Sequence, residues 1–157
     1  MNVLFVCSGN VCRSPLAEAM LRRLAAQRRV GGVTVSSAGT AAWDGAPASE
    51  GSYLVALEHG LDLSAHQARQ ITAGIVAEAD LILCMGEQHV EQAEALGGSG
   101  KTHLLGSYAG EPPGNDEVAD PFGGDVEEYR ATYLRLSALV DAALSRLVSE
   151  RPRADRE

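Results

Sequence analysis

Short apolar runs alternate along this chain with stretches in which apolar residues recur at helical spacing. The runs at 3–6, 33–36, 81–85 and 103–105 predict four short strands. Helical spacing marks residues 16–29, 48–59, 71–78, 87–96 and 126–148. Because strands that alternate with helices form parallel sheets, the pattern predicts an α/β fold, a single-domain four-stranded parallel sheet of flavodoxin-like type with helices on both faces.

Length and composition indicate one globular domain. The 157 residues are 45% hydrophobic and 22% charged, and no stretch approaches the roughly 18 apolar residues of a membrane helix. We expect the domain to occupy residues 1–148 and the charged residues 149–157 to form a frayed tail. The first residues lack the basic and apolar regions of a signal peptide, so the expected location is the cytoplasm.

Charge and cysteine content restrict the possible partners. The net charge of −8 argues against nucleic acid, and it means that an anionic substrate must be attracted by local donors. The three cysteines have the spacing of neither a disulfide framework nor a zinc site. We therefore expect no metal, no cofactor and neither a membrane nor a nucleic-acid partner, and the sequence leaves the oligomeric state open.

The strongest chemical signal lies between the first strand and the first helix. This loop reads Cys7-Ser-Gly-Asn-Val-Cys-Arg-Ser-Pro, in which Ser14 and Pro15 are typical of a helix N-cap and first helical position. A loop that leads from a strand to a helix N-terminus binds anions with its inward N–H groups. Arg13 offers a planar fork for two phosphate oxygens, and its charge favours the nucleophilic thiolate form of Cys7. Ser14 is placed to donate a hydrogen bond to that sulfur.

Further motifs accompany the loop at residues 7–15, namely Ser37-Ala-Gly-Thr, Trp43, residues 60–70, residues 79–83 and Asp120-Pro-Phe-Gly-Gly. With these motifs, the chain resembles the low-molecular-weight protein tyrosine phosphatases up to about residue 148.

The resemblance implies a reaction and a set of residues. The implied reaction is hydrolysis of phosphotyrosine through a cysteinyl-phosphate intermediate. The implied partner is a phosphotyrosine-bearing protein of a bacterial-type tyrosine kinase system. Cys7 would attack phosphorus, Arg13 would bind the phosphate, and Asp120 would act as general acid and then as base. Proline after Asp120 restricts its backbone to extended conformations, which suits a fixed loop. The implied phosphate-binding loop comprises Ser8, Gly9, Asn10, Val11, Cys12 and Ser14, and Asn10, Ser37 and His66 would hold it by hydrogen bonds.

Two aromatic residues are candidates for the rim of a slot that accepts a phenyl ring. These are Trp43, the only tryptophan, and Phe122, which follows Asp120 by two positions. A core position is the alternative for Trp43. Small residues follow Phe122, so the slot is expected to be more open than in relatives with paired tyrosines.

Two other functions remain open. A protein-arginine phosphatase of the same fold has threonine after the loop asparagine, whereas this chain has Val11, which lacks the hydroxyl that would orient water.

From another class, the chain could be a non-catalytic phosphate-binding or nucleotide-binding module. The glycine-rich residues 95–102 approximate a nucleotide-binding loop, but they follow a predicted helix and precede a strand, which is the reverse of the required order. We therefore expect Lys101 on a solvated turn.

The remaining cysteines and histidines lie outside the roles that the resemblance assigns to the reaction. Cys12 could form a reversible disulfide that protects Cys7, or it could simply pack as a small apolar residue. Cys84 ends a buried strand and is expected to be inert. Surface or helix-end positions are expected for the other histidines, namely His59, His89 and His103.

Overall fold

The computed structural model describes residues 1–151, and four parallel strands form its single sheet. The strand order is β2-β1-β3-β4. β1 pairs along its whole length with β2, so that Cys7 lies opposite Gly39, and it pairs with β3 on its other side. The predicted four-stranded parallel sheet is confirmed. The strands are β1 (Asn2–Cys7), β2 (Thr34–Gly39), β3 (Leu81–Cys84) and β4 (Thr102–Leu104).

Helices cover both faces of the sheet, as predicted. They are α1 (Arg13–Gln27), α2 (Glu50–Glu58), α3 (Ala73–Glu78), α4 (Glu87–Ala93), α5 (Leu105–Tyr108) and α6 (Val126–Glu150). A π-helical turn, Glu94–Gly98, continues α4.

The two faces of β1 enter two separate cores because successive side chains of a strand point in opposite directions. Val3 and Phe5 belong to a core formed with α1, α2, α5 and α6. Leu4 and Val6 belong to a second core formed with α3 and α4. All four side chains are at most 1% exposed, which explains why the first strand is apolar throughout.

The start of α1 differs from the prediction. The helix begins at Arg13, and its N-cap is Cys12, whose side chain makes no capping hydrogen bond to the helix. The prediction of Ser14 as N-cap is therefore wrong, because its hydroxyl is hydrogen-bonded within the preceding loop. Pro15 lies in the first turn, where a helix tolerates proline because these N–H groups have no helical partner.

The C-terminal half also differs in detail. The loop predicted for residues 106–125 begins with the short helix α5, and α6 continues two residues beyond the predicted end at 148. The rest of the predicted tail, residues 152–157, lies outside the described residues. Within residues 1–151, no helix combines the length and the apolar character needed to cross a membrane.

Candidate active site

The loop between β1 and α1, residues 7–13, lies at the carboxyl end of the central strand. The chain leaves β1 toward β2 on one side and later returns to β3 on the other, so the loop occupies the switch point of the sheet. The neighbouring loop after β2 holds it in place, since Thr40 and Ala41 donate their N–H groups to the carbonyl oxygens of Cys7 and Ser8. We call residues 7–13 the Cys7 loop.

A chain of hydrogen bonds between buried side chains leads to the Cys7 sulfur. The amide nitrogen Nδ2 of Asn10 donates to Ser14 Oγ at 2.8 Å and to Ser37 Oγ at 2.9 Å. Ser37 donates in turn to the Glu18 carboxylate at 2.5 Å. Ser14 Oγ lies 2.9 Å from Cys7 Sγ. Because Ser14 Oγ already accepts from Asn10, its own proton can be donated to the sulfur.

Asn10 is the residue that fixes the shape of this loop. It is fully buried and adopts a left-handed conformation with φ of 54°. Its Oδ1 accepts from the N–H of Arg69, which sets the orientation of the amide, and its carbonyl oxygen accepts from His66 Nε2 at 2.7 Å. The structure thus brings Asn10, Ser37 and His66 together around the loop.

Arg13, at the end of the same loop, is buried, with 4% of its surface exposed. Its Nη1 donates to the carbonyl oxygen of Val118 at 2.9 Å, and its Nη2 lies 3.5 Å from both Asp120 Oδ2 and Ser8 Oγ. Its Nε is the single buried side-chain polar atom in residues 1–151 without a hydrogen-bond partner. A buried donor of a cation without a partner is costly, so this guanidinium edge is suited to an anion.

Cys7 and Arg13 share one cavity of about 170 Å³ with Asp120. The cavity is lined by Cys7, Ser8, Gly9, Val11, Cys12, Arg13, Asp120 and Phe122. Two larger cavities of about 400 Å³ adjoin it and share Asp120. Phe122 lies at the mouth with 71% of its surface exposed.

Trp43 lies on the loop after β2, where its side chain is 84% exposed, so the alternative of a core position is excluded. It is not among the residues that line this cavity, whereas Phe122 is. The rim role of Trp43 stays a prediction.

The other two cysteines have surroundings that favour the thiol. Burial raises the pKa of Cys12, whose Sγ donates to Ser49 Oγ at 3.2 Å and lies 3.5 Å from the Tyr129 hydroxyl. Burial also raises the pKa of the fully buried Cys84 strongly. All three cysteines are free thiols. Cys7 differs from the other two because its sulfur is hydrogen-bonded to Ser14, whose oxygen already accepts from Asn10.

One residue at this site could not be assigned from sequence. His89, for which the sequence predicts a surface or helix-end position, does occupy the first turn of α4, but it is fully buried. Its Nε2 lies 2.9 Å from Ser8 Oγ in the Cys7 loop. The position of His89 three residues after Gly86 could indicate its bond to the helix start, but nothing in the local sequence indicates the contact with Ser8.

The glycine-rich residues 95–102 form no phosphate loop. Lys101 Nζ donates to the carbonyl oxygens of Val76 at 2.7 Å and Ala79 at 2.6 Å, at the end of α3. Lys101 lies on a turn, as predicted, but it is half-buried and its ammonium group caps α3 instead of being solvated, which corrects that part of the prediction.

The fold and these side chains define an α/β protein that presents a thiol, a guanidinium and a carboxylate in one small cavity. A sequence profile described as "Low molecular weight phosphotyrosine protein phosphatase" matches residues 2–153. The chain belongs to this family of hydrolases.

Relatives of two specificities are similar to this chain. The probable low molecular weight protein-tyrosine-phosphatase AmsI of Erwinia amylovora is 36% identical over 84% of this chain and 87% of its own length. A protein-arginine-phosphatase of Geobacillus stearothermophilus is 36% identical over 94% of this chain and 97% of its own. The crystal structure of the tyrosine phosphatase Wzb from Escherichia coli K30 in complex with sulphate superposes with a TM-score of 0.83 at 30% identity, covering 93% of this chain and 97% of that one.

Proposed function

We propose that this chain is a protein-tyrosine phosphatase that hydrolyses phosphotyrosine monoesters through a phosphocysteine at Cys7. The observation that carries the proposal is the unpartnered Nε of buried Arg13 in the cavity that also contains Cys7 and Asp120. A tetrahedral dianion in this cavity would satisfy the guanidinium edge and the N–H groups of the loop at once. The sulphate complex of the related Wzb supports an oxyanion as the ligand.

The first step transfers the phosphoryl group to sulfur. The Cys7 thiolate attacks phosphorus, the S–P bond forms, and the bond between phosphorus and the tyrosine oxygen breaks. Asp120, in its protonated form, gives its proton to the departing phenolate. Arg13 stabilises the charge that spreads over the equatorial oxygens, and it stays in place because Val118 holds its other nitrogen.

The second step releases phosphate. Asp120, now a carboxylate, accepts a proton from water as the water oxygen attacks phosphorus. The S–P bond breaks and returns its electron pair to Cys7, and inorganic phosphate leaves. Ser14 assists here because its hydroxyl is aimed at the sulfur that becomes negative.

The partner we propose is a phosphotyrosine-bearing protein of a bacterial-type tyrosine kinase system, acted on in the cytoplasm. The relatives include proteins described as tyrosine phosphatases from bacteria, among them AmsI. The exposed Phe122 at the mouth offers an apolar surface to the phenyl ring of such a substrate.

Arginine dephosphorylation is the second candidate. The similarity to the protein-arginine-phosphatase of Geobacillus stearothermophilus supports it, and so does the single aromatic residue at the mouth. Val11 favours phosphotyrosine, because its side chain lines the cavity and carries no hydroxyl to orient water toward a phosphoramidate. Turnover of matched phosphotyrosine and phosphoarginine peptides by one enzyme preparation distinguishes the two.

The test of the proposed chemistry is replacement of the nucleophile. Cys7→Ser should abolish hydrolysis of an aryl phosphate while inorganic phosphate still binds, because Arg13 and the loop remain. Cys84→Ala is the matched control, since Cys84 is buried in the sheet away from the cavity, and it should retain turnover. Full activity of Cys7→Ser would refute the proposal. Phosphate binding by a wild-type protein that turns over no phosphomonoester would identify a non-catalytic binding module instead.

A further inference from the structure

His89 is a buried polar side chain that the proposed reaction does not use. It is fully buried at the start of α4, and both of its ring nitrogens are hydrogen-bonded. One partner is the N–H of Gly86, at the beginning of its own helix, and the other is Ser8 in the Cys7 loop. α4, which packs on the face of the sheet opposite α1, thereby contacts the candidate phosphate site.

The hydrogen-bond directions follow from the chemistry of the partners. The N–H of Gly86 can only donate, so Nδ1 of His89 accepts at 3.0 Å and carries no proton. Burial, aided by the positive charge of Arg13, lowers the pKa of His89 to about 4, so the ring is neutral near pH 7. A neutral ring with a bare Nδ1 has its proton on Nε2. Nε2 therefore donates to Ser8 Oγ at 2.9 Å.

The bond from His89 leaves the proton of the Ser8 hydroxyl free to be donated. Its oxygen accepts from His89, and Arg13 Nη2, which can only donate, lies 3.5 Å away on another side. The hydroxyl proton can therefore go to neither neighbour. Ser8 also lines the cavity that contains Cys7 and Arg13. An anion in that cavity is the acceptor that this geometry leaves for the proton.

We propose that His89 is a positioning residue that turns the Ser8 hydroxyl toward the bound phosphoryl group, making Ser8 a side-chain donor to its oxygens. The inference rests on the proposed phosphatase function and extends it, because it adds a donor to the Arg13 edge and the loop N–H groups. His89 itself touches no substrate in this arrangement.

Two conservative replacements of His89 separate its two hydrogen bonds. In His89→Asn, Oδ1 takes the place of Nδ1 and keeps the bond from Gly86, but the side chain is too short to reach Ser8. In His89→Gln, the amide nitrogen takes the place of Nε2 and restores the donor to Ser8. His89→Asn should weaken inhibition by inorganic phosphate and lower kcat/KM for an aryl phosphate by about tenfold, the effect of losing one hydrogen bond to a charged group. His89→Gln should recover most of both.

A double-mutant cycle with Ser8→Ala tests whether His89 acts through Ser8. Ser8→Ala alone should weaken phosphate inhibition about as much as His89→Asn, and the double variant should be no worse than Ser8→Ala. Effects that multiply, or a Gln variant that is as impaired as the Asn variant, would overturn the proposal in favour of a structural role. His59→Asn is the control, because His59 stacks on Tyr133 outside the cavity, and it should match the wild type.

The readouts also separate this inference from the proposed function. If the wild type neither hydrolyses an aryl phosphate nor binds inorganic phosphate, the proposed function fails. If the wild type does both and Ser8→Ala has the wild-type inhibition constant for phosphate, only the role of His89 and Ser8 fails. Ser8→Ala leaves α4 intact, so its inhibition constant tests the proposal even where a His89 variant does not fold.

Discussion

Arg13 Nη2 lies 3.5 Å from Asp120 Oδ2, and this contact joins the first loop of the chain to a loop that follows all four strands. The other carboxylate oxygen of Asp120, Oδ1, accepts from the N–H of Phe122 at 3.1 Å. Two different partners therefore fix the two oxygens, and the carboxylate is held at the edge of the Cys7 cavity. Its side chain is still 47% exposed and is therefore open to solvent.

The position of Asp120 leads to a prediction about leaving groups. Asp120→Asn keeps the shape of the side chain but cannot donate a carboxyl proton, so kcat should fall by about 10²–10⁴-fold, the usual contribution of general acid catalysis. The loss should be greater for phenyl phosphate than for p-nitrophenyl phosphate, because the poorer leaving group needs the proton more. Steady-state kinetics on a series of aryl phosphates measures this as a steeper dependence of kcat/KM on leaving-group pKa.

Asp116→Asn is the matched control for that series. Asp116 lies in the same loop and its replacement removes the same charge, but it does not line the Cys7 cavity. The control variant should retain the wild-type dependence on leaving group. An equal loss on every aryl phosphate in Asp120→Asn would show that the carboxylate acts on binding alone and not as a proton donor.

Local sequence rules predicted the sheet well because its strands are short, apolar and buried. The same rules failed at Ser14, where a serine before a proline usually caps a helix. Here Asn10 and Cys7 use that hydroxyl, and the helix starts at Arg13 without a side-chain cap. A local preference was overridden by a contact that only the folded loop creates.

Long-range contacts explain what the sequence could not provide. Ser8 and His89 are separated by 81 positions, and nothing in either neighbourhood indicates that they meet. For Trp43 the sequence left a rim position and a core position open, and only the folded chain shows that its side chain is 84% exposed. The motif around Cys7 was recognisable because its residues are contiguous in sequence.

A second prediction concerns Gly39, which lies beside Cys7 at the end of β2. A Cβ on this residue would lie 2.4 Å from the carbonyl oxygen of Ser8 and 2.9 Å from the backbone nitrogen of Asn10. Both contacts are with backbone, so Gly39→Ala must displace the Cys7 loop. We expect it to lower the free energy of unfolding by about 1–3 kcal/mol, the range for an overpacked site, and to reduce kcat/KM. Urea denaturation and aryl phosphate kinetics measure the two effects.

Gly31→Ala provides the comparison for this substitution. A Cβ at Gly31 would have no neighbour within 4 Å, and its φ is not in the left-handed region. Stability should therefore change little or rise by up to about 1 kcal/mol, because alanine restricts the unfolded chain. Wild-type kinetics and stability in Gly39→Ala would contradict the inference that the approach of β2 shapes the loop.

A third prediction addresses the choice between phosphotyrosine and phosphoarginine. Val11→Thr exchanges a methyl group for a hydroxyl of similar volume at a side chain that lines the cavity. If a hydroxyl at this position orients water toward a phosphoramidate, the variant should raise phosphoarginine turnover relative to phosphotyrosine turnover. Assays on paired peptides that differ only in the phosphorylated residue give this ratio directly.

The size of the residue at position 11 must be separated from its hydroxyl. Val11→Ala serves this purpose, because it also reduces the methyl contacts in the cavity but adds no donor. The ratio should rise in Val11→Thr and not in Val11→Ala. A similar rise in both variants would mean that space in the cavity, and not the hydroxyl, decides between the two substrates.

The last prediction is a pH dependence of stability that His89 introduces. Its pKa is lowered to about 4 in the folded protein by burial and by Arg13, against the opposing effect of Asp120 and Glu117. The unfolded chain has an ordinary histidine pKa of about 6.5, so above that value both states are neutral and the full contribution to stability is present. Between about 6.5 and 4, only the unfolded chain takes up the proton, so stability falls with pH. Below both values no further loss arises.

His89→Asn removes this titration, so the unfolding free energy of the wild type should fall between pH 7 and pH 5 by about 1–2 kcal/mol more than that of the variant. Urea unfolding at both pH values measures the difference, and His59, His66 and His103 cancel because both proteins contain them. Parallel stability curves would show that His89 titrates normally and that its ring is not held neutral by burial and by the charge of Arg13.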